Sequence, residues 1–388
     1  MAYKALIMDY IKNIQKLDKW FIDDVFPLWT AKAIDLKNGG FIESIELSGE
    51  PLALSRRALV QARQIYSYTE GGKLNYINKD LANNIVYNNI KFTENYSLQS
   101  GACLHAVDAS GKPSAHQSEL YTQAFMLFGF ARAYECLGDE KIKIRALKLL
   151  NYLKNKRQNR FGGFIECKNG QPLFESNPHM HLFEAALEWM RMDSNTEWKN
   201  LAHEIYTLFK EKFVNNEMGV VAEHFTEDWQ ILCENGKFVF EPGHQYEWSW
   251  LLQQFQKMTS VNTKEDSLRI FELAEKYGVD REVNLAYDEV LSDYTIKKSS
   301  SRFWPQCERI KAAVELGLSA SSSNRSYFTG IADGAMSALQ NYFETSVPGL
   351  WHDTKADGKF ILQAAKASSL YHIINAVSEY KSKRPLLD

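Results

Sequence analysis

Cysteine is scarce in this chain. The five residues, Cys103, Cys136, Cys167, Cys233 and Cys307, stand far apart and no C-x-x-C occurs. An odd, unclustered set argues against a disulfide framework and a cysteine-based zinc site, and fits free thiols in a reducing cytoplasm. No apolar run approaches the roughly 18 residues of a membrane span. The stretch from Met1 to Trp20 reads as an amphipathic helix and lacks the apolar heart of a signal peptide. A basic stripe is missing as well. The formal charge is −3, with both signs mixed along the chain, which argues against nucleic acid as a partner. Neither G-x-G-x-x-G nor a P-loop spacing is present, so dinucleotide and nucleotide phosphate sites have no support. Nor is there a Pro/Ser/Gly linker. The polar runs near Ser299–Ser301 and Ser321–Asn324 have loop length. The expectation is one large domain over residues 1–388.

What is present is a repeat. A Gly-flanked, aromatic, strand-like stretch near an acidic or His residue returns about every 60 residues. It reads Asn38–Glu43, Gly101–His105, Phe161–Glu166, Met218–Glu223, Leu285–Glu289 and Pro348–Asp353. Helix-period text fills the gaps, with apolar residues at i, i+3, i+4 and i+7 in Tyr121–Cys136, Phe183–Met190, Leu201–Phe213, Tyr246–Met258, Cys307–Leu318, Gly330–Phe343 and Ala367–Tyr380. Leu59, Ile65 and Tyr66 share a further helical segment with Gln61, Arg63 and Gln64 on its other faces. Each unit has room for two helices and a turn-rich return. Six such units make either an open solenoid or a closed ring of helical hairpins.

Histidines stand at two of the helix starts with one spacing. In Asn177-Pro178-His179-Met180-His181-Leu182-Phe183-Glu184, Asn177 and Pro178 suit a helix start, and His181 and Glu184 share one face of the first turn. In Pro242-Gly243-His244-Gln245-Tyr246-Glu247, His244 and Glu247 repeat the arrangement, with Trp248 or Trp250 available as a wall. A carboxylate so placed holds an imidazole in one tautomer. A capped helix with a satisfied core histidine is the plainer account of either pair alone; two pairs in successive units favour a shared cavity. His179 and His181 also form a His-x-His spacing, but no third ligand accompanies them, so no metal is expected. His372 lies at the head of the last helix. Arg63 stands on an apolar helix, where an unpaired charge is costly. Tyr121, Trp304, Gln306 and Glu308 lie near further helix starts and can line the same mouth. His105, His203 and His224 read as surface or loop residues.

Taken together, N-P-H-M-H-L-x-E-A (Asn177 to Ala185), P-G-H-x-x-E-W (Pro242 to Trp248), W-P-Q-x-E (Trp304 to Glu308) and W-H-D…K-A-S-x-x-Y-H (Trp351 to His372) resemble the N-acylglucosamine 2-epimerase superfamily. Gln61–Tyr66 and Tyr121–Phe125 resemble its N-terminal motifs, although Asp is more usual at Thr122. The resemblance covers nearly the whole chain and leans toward the mannose isomerases. It implies an (α/α)6 barrel with short β-turn segments at the mouth. It also implies catalytic histidines at His181, His244 and His372 and a substrate arginine at Arg63. The implied substrate contacts are Glu184, Glu247, Tyr121, Trp304 and Glu308, which Asn177 and Gln306 join.

The chemistry that fits is proton removal at C2 of an open-chain aldose, through a cis-enediolate, by neutral imidazole, with return of a proton by a second imidazole. Return to C1 gives a ketose; return to C2 from the opposite face gives the 2-epimer. On this reading His244, oriented by Glu247, and His372 form the acid/base pair, His181 assists ring opening, and Arg63 binds the charged oxygens. No cofactor is required. The expected partner is a monosaccharide, mannose and fructose first, for a cytoplasmic enzyme that is monomer or homo-oligomer. A 2-epimerase of glucose/mannose or N-acyl sugars is the first alternative. A glycoside hydrolase using carboxylates such as Glu184, Glu247, Asp288, Glu289 and Glu308 stands behind it, and a non-catalytic sugar-binding protein behind that.

Overall fold

A computed structural model describes residues 2–388. Met1 of the expected N-terminal helix, and the side chains of residues 2–9, lie outside the described residues. Helix α1 (Ala2–Trp20) runs through a π-turn into α2 (Phe26–Lys32). Inward and outward helices then alternate. Inside are α3 (Ala58–Lys73), α5 (Leu120–Leu137), α7 (Ser176–Met190), α9 (Pro242–Thr259), α11 (Phe303–Ser319) and α13 (Leu370–Lys383). Outside are α4 (Lys79–Phe92), α6 (Glu140–Lys156), α8 (Thr196–Leu208), α10 (Lys264–Tyr277) and α12 (Ser322–Gln340). Each inner helix packs on the next, and α13 returns to α3. The ring is closed: an (α/α)6 barrel, not an open solenoid.

Burial separates the two layers. On α9 every residue from Pro242 to Phe255 is buried, whereas α10 buries a single stripe that includes Ile270, Phe271 and Ala274. The first suits a helix covered on all sides, the second a helix with one face in water. Polar residues on inner helices are therefore buried too. Gln61, Arg63 and Gln64 of α3 are all buried, as the apolar residues beside them are.

The missing sixth outer position is filled from the N-terminus. Asp18 of α1 pairs with Lys381 of α13 at 2.8 Å. Trp29 of α2 stacks on Trp351 at 4.8 Å and donates its indole N–H to the carbonyl of Gly349 at 3.0 Å. Ser44 and Ile45 also pair antiparallel with Lys366 and Ala365, so the rim closes as the helices do.

The six Gly-flanked stretches lie between an outer helix and the next inner one, among short antiparallel strands at one end of the barrel. A recurring clamp holds the first five. Gln61 accepts from Phe41 N at 2.7 Å and donates to Phe41 O at 2.9 Å. Gln123 does the same to Cys103, Gln245 to Val221 and Gln306 to Ala286. In the third hairpin His179 takes this place, its Nε2 accepting from Phe164 N at 2.9 Å. Gly163 makes room for it: φ is +68°, and a Cβ there would lie 2.8 Å from His179 Nε2.

Two boundaries differ from the sequence reading. Ser322–Asn324 form the first turn of α12 rather than a loop, because short polar residues suit helix starts as well as turns. Asn177 is inside α7, not its cap; the preceding Glu175 has the extended backbone of the cap position.

Candidate active site

The inner helices all point their N-terminal ends at the strand-bearing mouth. There Arg63 of α3, Tyr121 of α5, Asn177 and His181 of α7, His244 and Glu247 of α9, Trp304 of α11 and His372 of α13 line one cavity of about 290 Å³. That is near the lower end of small-molecule sites, about 300–1,000 Å³. Trp304 forms a wall between two of the imidazoles, 5.2 Å from His244 and 5.7 Å from His372 by ring centroids. Gly243 permits this approach, since a Cβ there would lie 2.5 Å from the Trp304 ring.

Each histidine is anchored through Nδ1 to a carboxyl group, which leaves Nε2 for the cavity. His244 meets Glu223 at 2.8 Å, His372 meets Glu308 at 2.9 Å, and His181 meets Glu184 at 3.2 Å and Glu247 at 3.7 Å. Tyr371 donates its hydroxyl to the other oxygen of Glu184. Arg63 donates to the Tyr121 hydroxyl at 2.9 Å and to the Ser368 carbonyl at 3.3 Å, and lies over the Phe125 ring at 4.1 Å.

The three imidazoles differ in charge. Burial opposes protonation of His244, but Glu223 and then Glu241 outweigh it and raise the pKa to about 10. For His372 burial prevails over the bond from Glu308 and lowers the pKa to about 4. His181 is pushed well below the ordinary range by burial, then by the charges of Arg63 and His244. At neutral pH one cavity thus holds an imidazolium and two neutral imidazoles. Glu184 is raised to about 7 by burial, and Glu247 is raised well above the usual carboxylate range by burial and by Glu308 and Glu184 beside it.

The model of the N-acylglucosamine 2-epimerase (GlcNAc 2-epimerase) family matches residues 40–376. This chain belongs to that family. It is 33% identical over 379 residues, 96% of this chain and 97% of the other, to a mannose-6-phosphate isomerase of Rhizobium meliloti (strain 1021). Among solved structures, a cellobiose 2-epimerase from Bacillus thermoamylovorans B4167 superposes with a TM-score of 0.85 at 17% identity, covering 95% of this chain and 98% of that one. A D-mannose isomerase superposes with a TM-score of 0.83 at 19% identity, covering 95% and 97%. The protein is thus an enzyme of the isomerase/epimerase class.

In this N-acylglucosamine 2-epimerase family member, the sequence reading needs four corrections of detail. Glu247 does not orient His244; Glu223 does, and the Glu247 carboxyl turns toward His181. The i, i+3 spacing places two side chains on one helix face but leaves open which neighbour from another element comes closer. Gln306 does not line the cavity, because its amide is used by the clamp on Ala286. Glu184 and Glu308 stand behind the imidazoles they anchor rather than among the lining residues. Trp248 and Trp250 are not the wall: Trp248 packs on Phe183 and Phe209, and Trp250 lies over Lys311.

The cavity also holds Arg302, which opens the Trp304 motif and with Arg63 leaves room for an anionic sugar, and residues that the sequence did not mark for a site: Arg57, Glu241, Asp353, Lys366, Ser368 and Ser369. Glu223 and Asp353 end two of the repeat stretches, and that position was the available signal for them. His179 is no metal ligand, since Nδ1–H donates to the Glu175 carbonyl at 2.8 Å while Nε2 is held by Phe164 N. Among the described residues, two triplets bring ligand atoms within 4.8 Å of one another, His181–Glu184–Glu247 and Glu223–Glu241–His244. The first fits a metal poorly, because the positive charges of Arg63 and Lys311 already act on its groups.

Proposed function

We propose that the protein isomerises an aldose to its ketose, mannose to fructose, in one (α/α)6-barrel catalytic domain spanning residues 1–388. The observation that carries this reading is the pairing of a neutral and a charged imidazole, His372 and His244, around one small cavity. His372 takes the C2 proton of the open-chain sugar. The electrons move to the carbonyl oxygen at C1, giving the enediolate. Arg63 and the imidazolium of His244 lie where that oxygen charge grows, and six helix N-termini add their positive ends. The His244 imidazolium gives its proton to C1 as the O2 proton passes to O1, which completes the ketose, and exchange with solvent resets both imidazoles. Before this, neutral His181 accepts the anomeric hydroxyl proton while the protonated carboxyl of Glu247 donates to the ring oxygen, opening the ring. Asn177, Tyr121 and Trp304 hold the substrate.

The substrate on this reading is a neutral hexose, although the Rhizobium meliloti relative is named for a phosphorylated one. Every cation at the outer part of the cavity already faces a carboxylate. Arg57 pairs with Glu43 at 2.7 Å, Arg302 with Glu241 at 2.9 Å and with Asp288 at 2.8 Å, and Lys366 with Asp353 at 3.0 Å. A phosphate dianion there would meet those acids. The free thiols support residence in a reducing cytoplasm.

Return of the proton to C2 is the second reading, favoured by the imidazoles converging from different helices on one space. Proton NMR in heavy water separates the two. Mannose is expected to give fructose with deuterium at C1, and kcat/KM for mannose is expected to exceed that for mannose 6-phosphate by about tenfold or more, as one unpaired charge contact is worth. Glucose labelled at C2 as the main product would replace isomerisation by epimerisation. New reducing ends from a disaccharide would favour hydrolysis, and faster turnover of the phosphate would sink the neutral-sugar assignment.

A further inference from the structure

His244 is charged and His372 neutral although each meets a glutamate through Nδ1 at nearly the same distance, 2.8 and 2.9 Å. Both rings are buried. The difference lies in the charges around them: Arg63 and then Lys311 oppose protonation of His372, whereas Glu241 and Glu247 favour that of His244. The second oxygen of Glu223 accepts only a backbone N–H, that of Glu241, at 3.0 Å, and the Glu241 carboxylate adds negative charge beside His244. The second oxygen of Glu308 lies 2.7 Å from Nζ of Lys311, and both of those side chains are fully shielded from solvent. The approach is an ion pair off the hydrogen-bond axis. Lys311 rests its ammonium over Trp250 at 3.9 Å and stands on α11 among Ile310, Ala312 and Ala313. Burying an ammonium is costly, and a hydrophobic residue there would pack as well.

We propose that Lys311 is a positioning residue that sets the direction of proton transfer, by balancing the charge of Glu308 so that this carboxylate orients His372 without protonating it. The inference rests on the acid/base reading of the two imidazoles. Glu308 itself is held ionised, at about 2, burial being outweighed by Lys311 and then by His372. The groups facing His372 are Glu308 and Lys311 from α11, Arg63 from α3 and Tyr371 from its own helix. Glu184 from α7 and Glu247 from α9 act on Lys311. Of these, Lys311 is the one cation bound to the carboxylate that His372 touches.

The test is Lys311→Met, which keeps the stem and removes the charge. The acid limb of kcat/KM for mannose is expected to rise by about 1–3 pH units, the usual effect of an uncompensated carboxylate on its neighbour. KM at alkaline pH stays within about threefold, since no ground-state contact is lost. The double variant Glu308→Gln/Lys311→Met, which buries no charge, is expected to return the limb toward its original place. NMR of ring-15N-labelled histidine reads the His372 titration directly, with or without turnover. A wild type inactive on every sugar would fail the isomerase reading alone, whereas an unmoved His372 titration in Lys311→Met overturns this inference alone. A uniform loss of rate with no limb shift, unrepaired in the double variant, overturns it too. If Lys311→Met does not fold, Glu308→Gln by itself is expected to leave the His372 titration in place or lower it, and a rise overturns the proposal.

Discussion

At the scale of single residues, the site is three imidazoles made unlike by what stands behind them. In the proposed reaction His372 must be neutral to take a proton and His244 charged to give one. The first condition holds above about pH 4 and the second below about pH 10. The expected kcat/KM profile is a plateau between those limits. It falls on the acid side as His372 gains a proton and on the alkaline side as His244 loses one. An alkaline limb near the ordinary histidine value of about 6.5 would mean that Glu223 does not keep His244 charged. His244→Ala and His372→Ala are each expected to lower kcat by a factor of about 10² to 10⁴, with helical circular dichroism unchanged. That Arg63, His181, His244, Trp304 and His372 share one cavity was legible in the sequence, because His, Arg and Trp at helix starts are conspicuous on apolar helices. Their partners were less so. Glu223 is 21 positions from His244 and Glu308 is 64 from His372, and no local spacing links residues that far apart.

At the scale of elements, the barrel rests on a clamp between five of the six returning stretches and the inner helix that follows. The clamp explains a pair of histidines two residues apart with unrelated roles. His179 does for Phe164 what Gln61, Gln123, Gln245 and Gln306 do for their own stretches. His179→Gln is therefore expected to fold and to retain activity within about threefold, because an amide offers the same acceptor. His181→Gln, which keeps size and polarity but not basicity, is expected to lose most ring-opening activity. Comparison of the two variants on mannose checks this, and equal losses would mean that both histidines serve the same purpose. Helix type and period were readable from the apolar pattern, as in α5, which ends at Leu137 before Gly138 with its φ of +64°. The clamp was not, because Gln on an apolar helix does not reveal whether it faces a backbone or a cavity.

At the scale of the whole molecule, closure depends on the N-terminal segment. Trp29 joins α2 to the stretch before α13 through Trp351 and Gly349. Trp29→Ala is expected to lower the free energy of unfolding by about 3–5 kcal/mol, as large-to-small changes at fully buried aromatics do. Urea unfolding followed by Trp fluorescence measures it, with KM for the remaining folded enzyme unchanged. A loss below about 1 kcal/mol would show that the segment does not hold the ring.

The sequence by itself determined the layer architecture and the identity of the chemical groups. A period of helical hairpins, too apolar to stand alone, has to stack, and histidines at helix starts have to meet where those starts meet. Tertiary structure alone decided that the ring closes, which carboxylate stands behind which imidazole, and hence which imidazole carries charge. Those outcomes depend on distances between side chains far apart in the chain. An ion pair such as Glu308–Lys311 acts on His372 only because all three are enclosed in the same low-dielectric interior.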